Sequence, residues 1–327
     1  MPRSLYILIM AILPFLMGEV TVPPVNSEGF SKVQLNDFSF DPYNIRTDSP
    51  TLTIPFTRAG NLIVIKARVD STEGNFILDT GAPGLVLNLT YFRDYETTTE
   101  TNTEQTGITG ASATALKTSV KEFSIGTFNY DRIQADMANL GHIENSKNIK
   151  ILGLIGLECF KSCEMIIDFE NGLIHLQYIS KKTQPVYVNA MLKDETAYTT
   201  VPIDIMDNRI ITTTEVGGKK LKMIIDCAAE TNILNSKLPN KVMELVTISR
   251  RVKLTGSGSR QVDALYGGLS EMKVGTESIS NLPVLITNLE NTCFSYNGCI
   301  DGVLGFDFMS LHKIGFNFVQ RKMYIWK

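Results

Sequence analysis

The chain has 327 residues, 43% of them apolar and 20% charged, with a formal net charge of −3. That length accommodates one large two-lobed domain or two ordinary ones. The near-neutral balance gives no basis for a nucleic-acid or anionic-membrane partner. The three histidines, His142, His175 and His312, show no ligand spacing, so a histidine-based metal site is not expected; no metal or cofactor is assigned.

At the N-terminus Arg3 precedes an apolar run from Leu5 to Met17, followed by Gly18 and Glu19. A basic start and a short apolar core predict a secretory signal over 1–18, too short to span a bilayer comfortably. The mature protein is therefore expected to be secreted or periplasmic, with no integral membrane segment. Residues 19–50, with Pro23-Pro24 and Pro50, read as an N-terminal extension.

Strand-like runs dominate from there. Leu62-Ile63-Val64-Ile65-Lys66-Ala67-Arg68-Val69 leads through the turn Ser71-Thr72-Glu73-Gly74 into Phe76-Ile77-Leu78-Asp79-Thr80-Gly81-Ala82. Tyr95 to Thr106 is rich in Thr and Glu and reads as an exposed loop or strand edge. Ile210 to Val216 leads through Gly217-Gly218-Lys219-Lys220 into Met223-Ile224-Ile225-Asp226-Cys227-Ala228-Ala229. Helix is expected only after Gly156, after Gly305 and over Asn235 to Val246, so the class is mostly β.

The two aspartate runs belong to a repeat of the whole chain. Gly107–Ser112 aligns with Gly256–Gln261, and 256 − 107 = 149; Ile125-Gly126, Leu154-Ile155-Gly156 and Ile167-Asp168-Phe169 recur at the same offset. The aspartates themselves lie at 226 − 79 = 147. Two long copies point to two lobes rather than a solenoid, expected over 51–180 and 201–327 with a linker at 181–200.

An apolar strand end, Asp79-Thr80-Gly81-Ala82, a glycine-bearing segment and then Leu154-Ile155-Gly156 together resemble the retropepsin-like and pepsin-like aspartic proteases. The spacing is closest to that of the bacterial retropepsin-like group, here duplicated in one chain. The resemblance implies a two-lobed acid-protease fold with a pseudo-twofold axis and a monomer carrying a whole active site. It makes Asp79 and Asp226 the catalytic pair and a peptide or protein the substrate. Thr80 and Gly81 would brace and admit backbone to the pair, and hairpins bearing Gly107, Gly110, Gly256 and Gly258 would cover the substrate. Two carboxylates about 3 Å apart share one proton, so that one activates water and the other polarises the scissile carbonyl.

The second copy departs from the pattern at Cys227, which replaces the bracing Thr, and at Ala228, which replaces the Gly. Both an impaired peptidase and an inactive relative that binds extended peptides are compatible with it. Cys293 and Cys299 bracket a short loop that could close as a disulfide, Cys159 and Cys163 read as buried thiols, and Cys227 is left over as a candidate reactive thiol. Asp168 and Asn317 read as structural, and Glu158 and Asp307 as acids opening short helices.

Overall fold

The computed structural model describes residues 43–99, 106–107, 110–111, 116–255, 261–290 and 299–327. The expected signal over 1–18 and most of the expected extension over 19–50 lie outside the described residues, as do Gly256, Gly258 and Cys293. No helix among the described residues is long and apolar enough to cross a membrane.

Each lobe is a closed β-sheet with the same strand order. In the first, Leu62–Val69 pairs with Thr72–Leu78, which runs parallel to Gly153–Ile155; Leu85–Asn88 and Phe128–Ala138 follow, and Leu116–Ile125 returns to close against Val69. In the second, Arg209–Val216, Lys219–Ile225, Gly302–Leu304, Asn232–Asn235, Glu277–Thr287 and Gln261–Val274 repeat that path and closure. The long apolar runs follow from sheets buried on both faces. Ile63, Ile65 and Val69 enter a core common to both lobes, whereas Leu62, Val64 and Ile77 face a smaller cluster on the other side. Ile211 and Ile224 occupy the corresponding cluster of the second lobe.

A third sheet joins the lobes. Thr51–Pro55, Leu173–Tyr178 and Cys163–Asp168 meet Ile314–Asn317, Lys322–Trp326 and Tyr198–Pro202, three strands from each copy of the repeat. At its centre Ile166 pairs with Gly315. Because 315 − 166 = 149, equivalent residues of the repeat pair with each other, which puts the pseudo-twofold axis at that rung. The mostly β, two-lobed architecture is thus realised.

Helix is scarce but not where it was all expected. Leu157–Phe160 and Phe306–Met309 form the short turns after the two glycines. The expected helix over Asn235 to Val246 shrinks to Asn240–Met243, because Pro239 delays its start and Val246 already begins a strand. Gly141–Lys147 forms an unexpected helix, ended by Asn148 in the left-handed conformation, with Ile143 as its buried residue. Tyr95 to Thr106 does contain an edge strand, Thr97–Thr99, paired with Leu116–Thr118. Thr106–Gly107 pairs with Gly110–Ala111 as a small hairpin. In the second lobe the strands Val246–Thr255 and Gln261–Val274 pair up to Thr255 and Gln261, on either side of Gly256 and Gly258.

Candidate active site

Two strand ends deliver the aspartates. Thr72–Leu78 and Lys219–Ile225 each lie beside a short parallel strand whose carbonyl receives the next amide. Asp79 N–H donates to Ile155 O at 3.0 Å, and Asp226 N–H to Leu304 O at 3.0 Å. The glycines that follow these strands must be glycines. A Cβ on Gly156 would stand 2.3 Å from Gly84 O, and one on Gly305 2.4 Å from Ala229 O. Both aspartate loops are thereby held from behind.

The loops then fold back on their own carboxylates. Asp79 Oδ1 accepts from the Gly81 and Ala82 amides at 2.9 and 3.0 Å. Asp226 Oδ1 accepts from the Ala228 and Ala229 amides at 2.9 and 3.2 Å. The second loop, despite its altered sequence, holds its carboxylate in the same way as the first.

Between the loops runs a reciprocal brace. Thr80 Oγ1 accepts from Cys227 N–H at 3.0 Å and donates to Ile225 O at 3.2 Å. Cys227 Sγ accepts from Thr80 N–H at 3.2 Å and donates to Leu78 O at 3.1 Å. The thiol therefore fills both roles of a hydroxyl. Cys227 is fully buried, and burial together with the adjacent aspartates pushes its thiol up, which is the opposite of the expected reactive thiol. Cys159 and Cys163 are also buried and free, while Cys299 is disulfide-bonded.

Asp79 and Asp226 are 0% and 1% exposed. Burial first, and then the neighbouring Asp226 charge, raises Asp79 well above the usual carboxylate range. Asp226 is also raised by burial, an effect reduced by its amide donors, by Asp79 and by Arg209. The Oδ2 atom of Asp79 is buried with no hydrogen-bond donor within reach. As a carboxylate oxygen it is unsatisfied; as a protonated oxygen it can donate to Asp226.

Gly81 lies against the opposite carboxylate, since a Cβ there would be 2.5 Å from Asp226 Oδ2. Ala228 occupies the matching position and belongs to a buried apolar cluster made otherwise of first-lobe residues. Thr80 is 1% exposed, with its hydroxyl occupied by the brace. Gly107 and Gly110 face each other across their hairpin. Glu158 and Asp307 open their short turns as expected, and Asp307 accepts from Thr231. Asp168 is bound to Lys313 and Asn171, and Asn317 to Glu164 and Gln320.

Two features near the loops escape the sequence reading. Lys147, at the end of the unexpected helix, bonds both oxygens of Glu230 at 2.6 Å across the lobes, and Asn61 donates to the same residue. Arg209, 1% exposed, begins the strand beside Asp226. The signal that finds it is the repeat itself, because 209 − 147 = 62 aligns it with the apolar Leu62. Two surface cavities, about 410 Å³ beside Glu164 and Tyr187 and about 490 Å³ beside Arg251 and Asp263, contain neither aspartate.

No curated protein matches this chain. Among solved structures, conglutin gamma, a basic 7S globulin from lupine seeds, is 9% identical with a TM-score of 0.45, covering 85% of this chain and 95% of its own. Basic 7S globulin from soybean is 8% identical with a TM-score of 0.43, covering 87% and 95%. The aspartyl protease family profile matches twice, over residues 65–159 and 212–308, once on each copy of the repeat. With more than half its length so matched, the chain belongs to the retropepsin-like aspartyl protease family, carrying the domain in duplicate.

Proposed function

We propose that this protein is an endopeptidase in which Asp79 and Asp226 together activate a water molecule. The observation that carries the reading is the paired arrangement of two buried carboxylates. Each has one oxygen fixed by two backbone amides, and the loops are locked to each other by Thr80 and Cys227. Two adjacent carboxylates in so buried a place retain one proton between them, the state required for acid and base to act together.

In the reaction the ionised carboxylate takes a proton from water while the oxygen attacks the scissile carbonyl carbon. The protonated carboxyl gives its proton to the carbonyl oxygen, leaving a neutral tetrahedral diol. The carbon–nitrogen bond then breaks. The amine leaves with the proton held by the first carboxylate, and a diol hydroxyl returns its proton to the second as the acid product forms. Proton and charge balance are restored without a covalent intermediate or a cofactor.

Each copy of the repeat brings one aspartate, which supports activity as a monomer. The basic and apolar start of the sequence supports export. One observation favours a second reading, peptide binding without cleavage: Ala228 carries a methyl where the first loop has Gly81. Incubation with a peptide library separates the two. Hydrolysis by wild type that is lost in Asp79→Asn supports the peptidase, and saturable binding with intact peptides supports the binding protein.

A further inference from the structure

We propose that the buried guanidinium of Arg209 directs the shared proton to Asp79, and so makes Asp226 the base that receives the proton of water. This inference deepens the peptidase reading and rests on it.

The geometry begins with strand register. Ile210 pairs with Ile225 in the hairpin of the second lobe, so the next rung sets Arg209 beside Asp226. The register is unbroken from Val216 with Lys219 to Ile210 with Ile225, one residue on each strand short of this pair. In the first lobe, continuing the register of Val64 with Ile77 by two residues on each strand sets Leu62 across from Asp79. The two halves of the site thus differ by one full positive charge. The difference lies in the interior, where charges are screened least.

Arg209 keeps that charge. Burial lowers its pKa only to about 10, with Asp207 and Asp226 opposing the fall, so it is a cation at any pH from acid to neutral. The other titratable groups near the pair do not reverse the asymmetry. The Cys227 thiol is pushed up by burial and stays neutral. Asp207 adds a negative charge on the Arg209 side and moderates its effect. Glu230 is matched by Lys147. On the Asp79 side, Oδ2 has no donor within reach, an arrangement that suits a protonated oxygen and not an ionised one. A cation beside one carboxylate and an unmet oxygen on the other place the proton in the same way.

Arg209 in this role is a positioning residue, acting through Asp226. The test compares wild type with Arg209→Leu, which copies the first lobe, and Arg209→Lys, which keeps the charge. Aspartate carboxyl carbons are titrated by NMR, and the pH profile of kcat/KM for peptide hydrolysis is recorded beside it. In wild type Asp226 is expected to ionise at lower pH than Asp79. In Arg209→Leu that order is expected to be lost and the acid limb of the profile to move up by about one pH unit or more; Arg209→Lys is expected to retain both. Unchanged carboxyl titration in folded Arg209→Leu would overturn the inference, as would a wild type in which Asp226 is the protonated member. Failure of wild type to cut any peptide would overturn the peptidase reading and with it the role as base, an outcome seen in the hydrolysis assay alone.

Discussion

Thr80 and Cys227 hold each other's loops, with Thr80 N–H donating to the thiol at 3.2 Å and Cys227 N–H donating to the hydroxyl at 3.0 Å. A side-chain oxygen and a side-chain sulfur thus do the same work on either side of a pseudo-twofold axis. Replacing Cys227 by Thr is expected to preserve the fold and to raise or maintain activity, because a hydroxyl is the stronger donor. Cys227→Ala leaves the buried Thr80 amide without its acceptor and is expected to cost about 1–3 kcal/mol. Denaturant melts and peptide hydrolysis of both variants test this, and a Cys227→Ala protein as stable as wild type would contradict it.

The aspartate pair makes stability depend on pH in a defined direction. Both carboxyls are raised above the ordinary range, by burial first. The folded state therefore binds more protons than the unfolded chain between the ordinary carboxylate pKa and the raised values. The pair's contribution is complete below the unfolded pKa and is lost as pH rises through the folded values. Each pH unit separating a carboxyl's folded and unfolded pKa is worth about 1.4 kcal/mol. Asp79→Asn, which removes one ionisation, is expected to be more stable than wild type at neutral pH and equal to it near pH 3. A difference independent of pH would count against the raised pair.

Gly81 faces the opposite carboxylate so closely that Gly81→Ala would bring a methyl to 2.5 Å from Asp226 Oδ2. Something must shift, and a displacement of about 1 Å at reacting groups costs about a hundredfold in rate. The converse change, Ala228→Gly, removes one methyl from the buried apolar cluster of the first lobe and is expected to leave activity intact or higher. Steady-state kinetics of the two variants, with a melt to confirm folding, decide the matter.

Lys147 and Glu230 lie 2.6 Å apart with side chains 11% and 9% exposed. Removing one partner of so buried a pair leaves the other charge uncompensated, at a cost of about 3 kcal/mol. Lys147→Met and Glu230→Gln are each expected to lower the unfolding midpoint clearly, and the double variant to recover part of the loss. Additive losses in that double-variant cycle would mean that the contact contributes nothing across the lobes.

The lobes, their sheets and the adjacency of the aspartate loops are legible in the sequence because the repeat holds an offset of 147 through the aspartate loops and of 149 after them, a shift of only two residues. Leu154-Ile155-Gly156 and Val303-Leu304-Gly305 could be recognised for the same reason: each glycine meets a carbonyl where no Cβ fits. The helix Gly141–Lys147 was not legible, since seven residues with one buried apolar side chain display no period. The cross-lobe contact of Lys147 could not be anticipated without that helix. Cys227 reads in the sequence as a weaker brace and a freer thiol than it is, because residue type alone carries the weak donor strength of sulfur and neither its acceptor role nor its complete burial. Arg209 reads in isolation as an ordinary polar strand start, and only its alignment with Leu62 reveals a charge on one side of the site.

The most direct test of the central claim is hydrolysis of a peptide library from acid to neutral pH by wild type, Asp79→Asn and Asp226→Asn, each verified as folded. The account predicts a bell-shaped profile for wild type and no cleavage by either variant, since each carboxyl serves in turn as acid and base. Cleavage by Asp79→Asn at the wild-type rate, or a wild type that binds peptides and leaves every one intact, would contradict it.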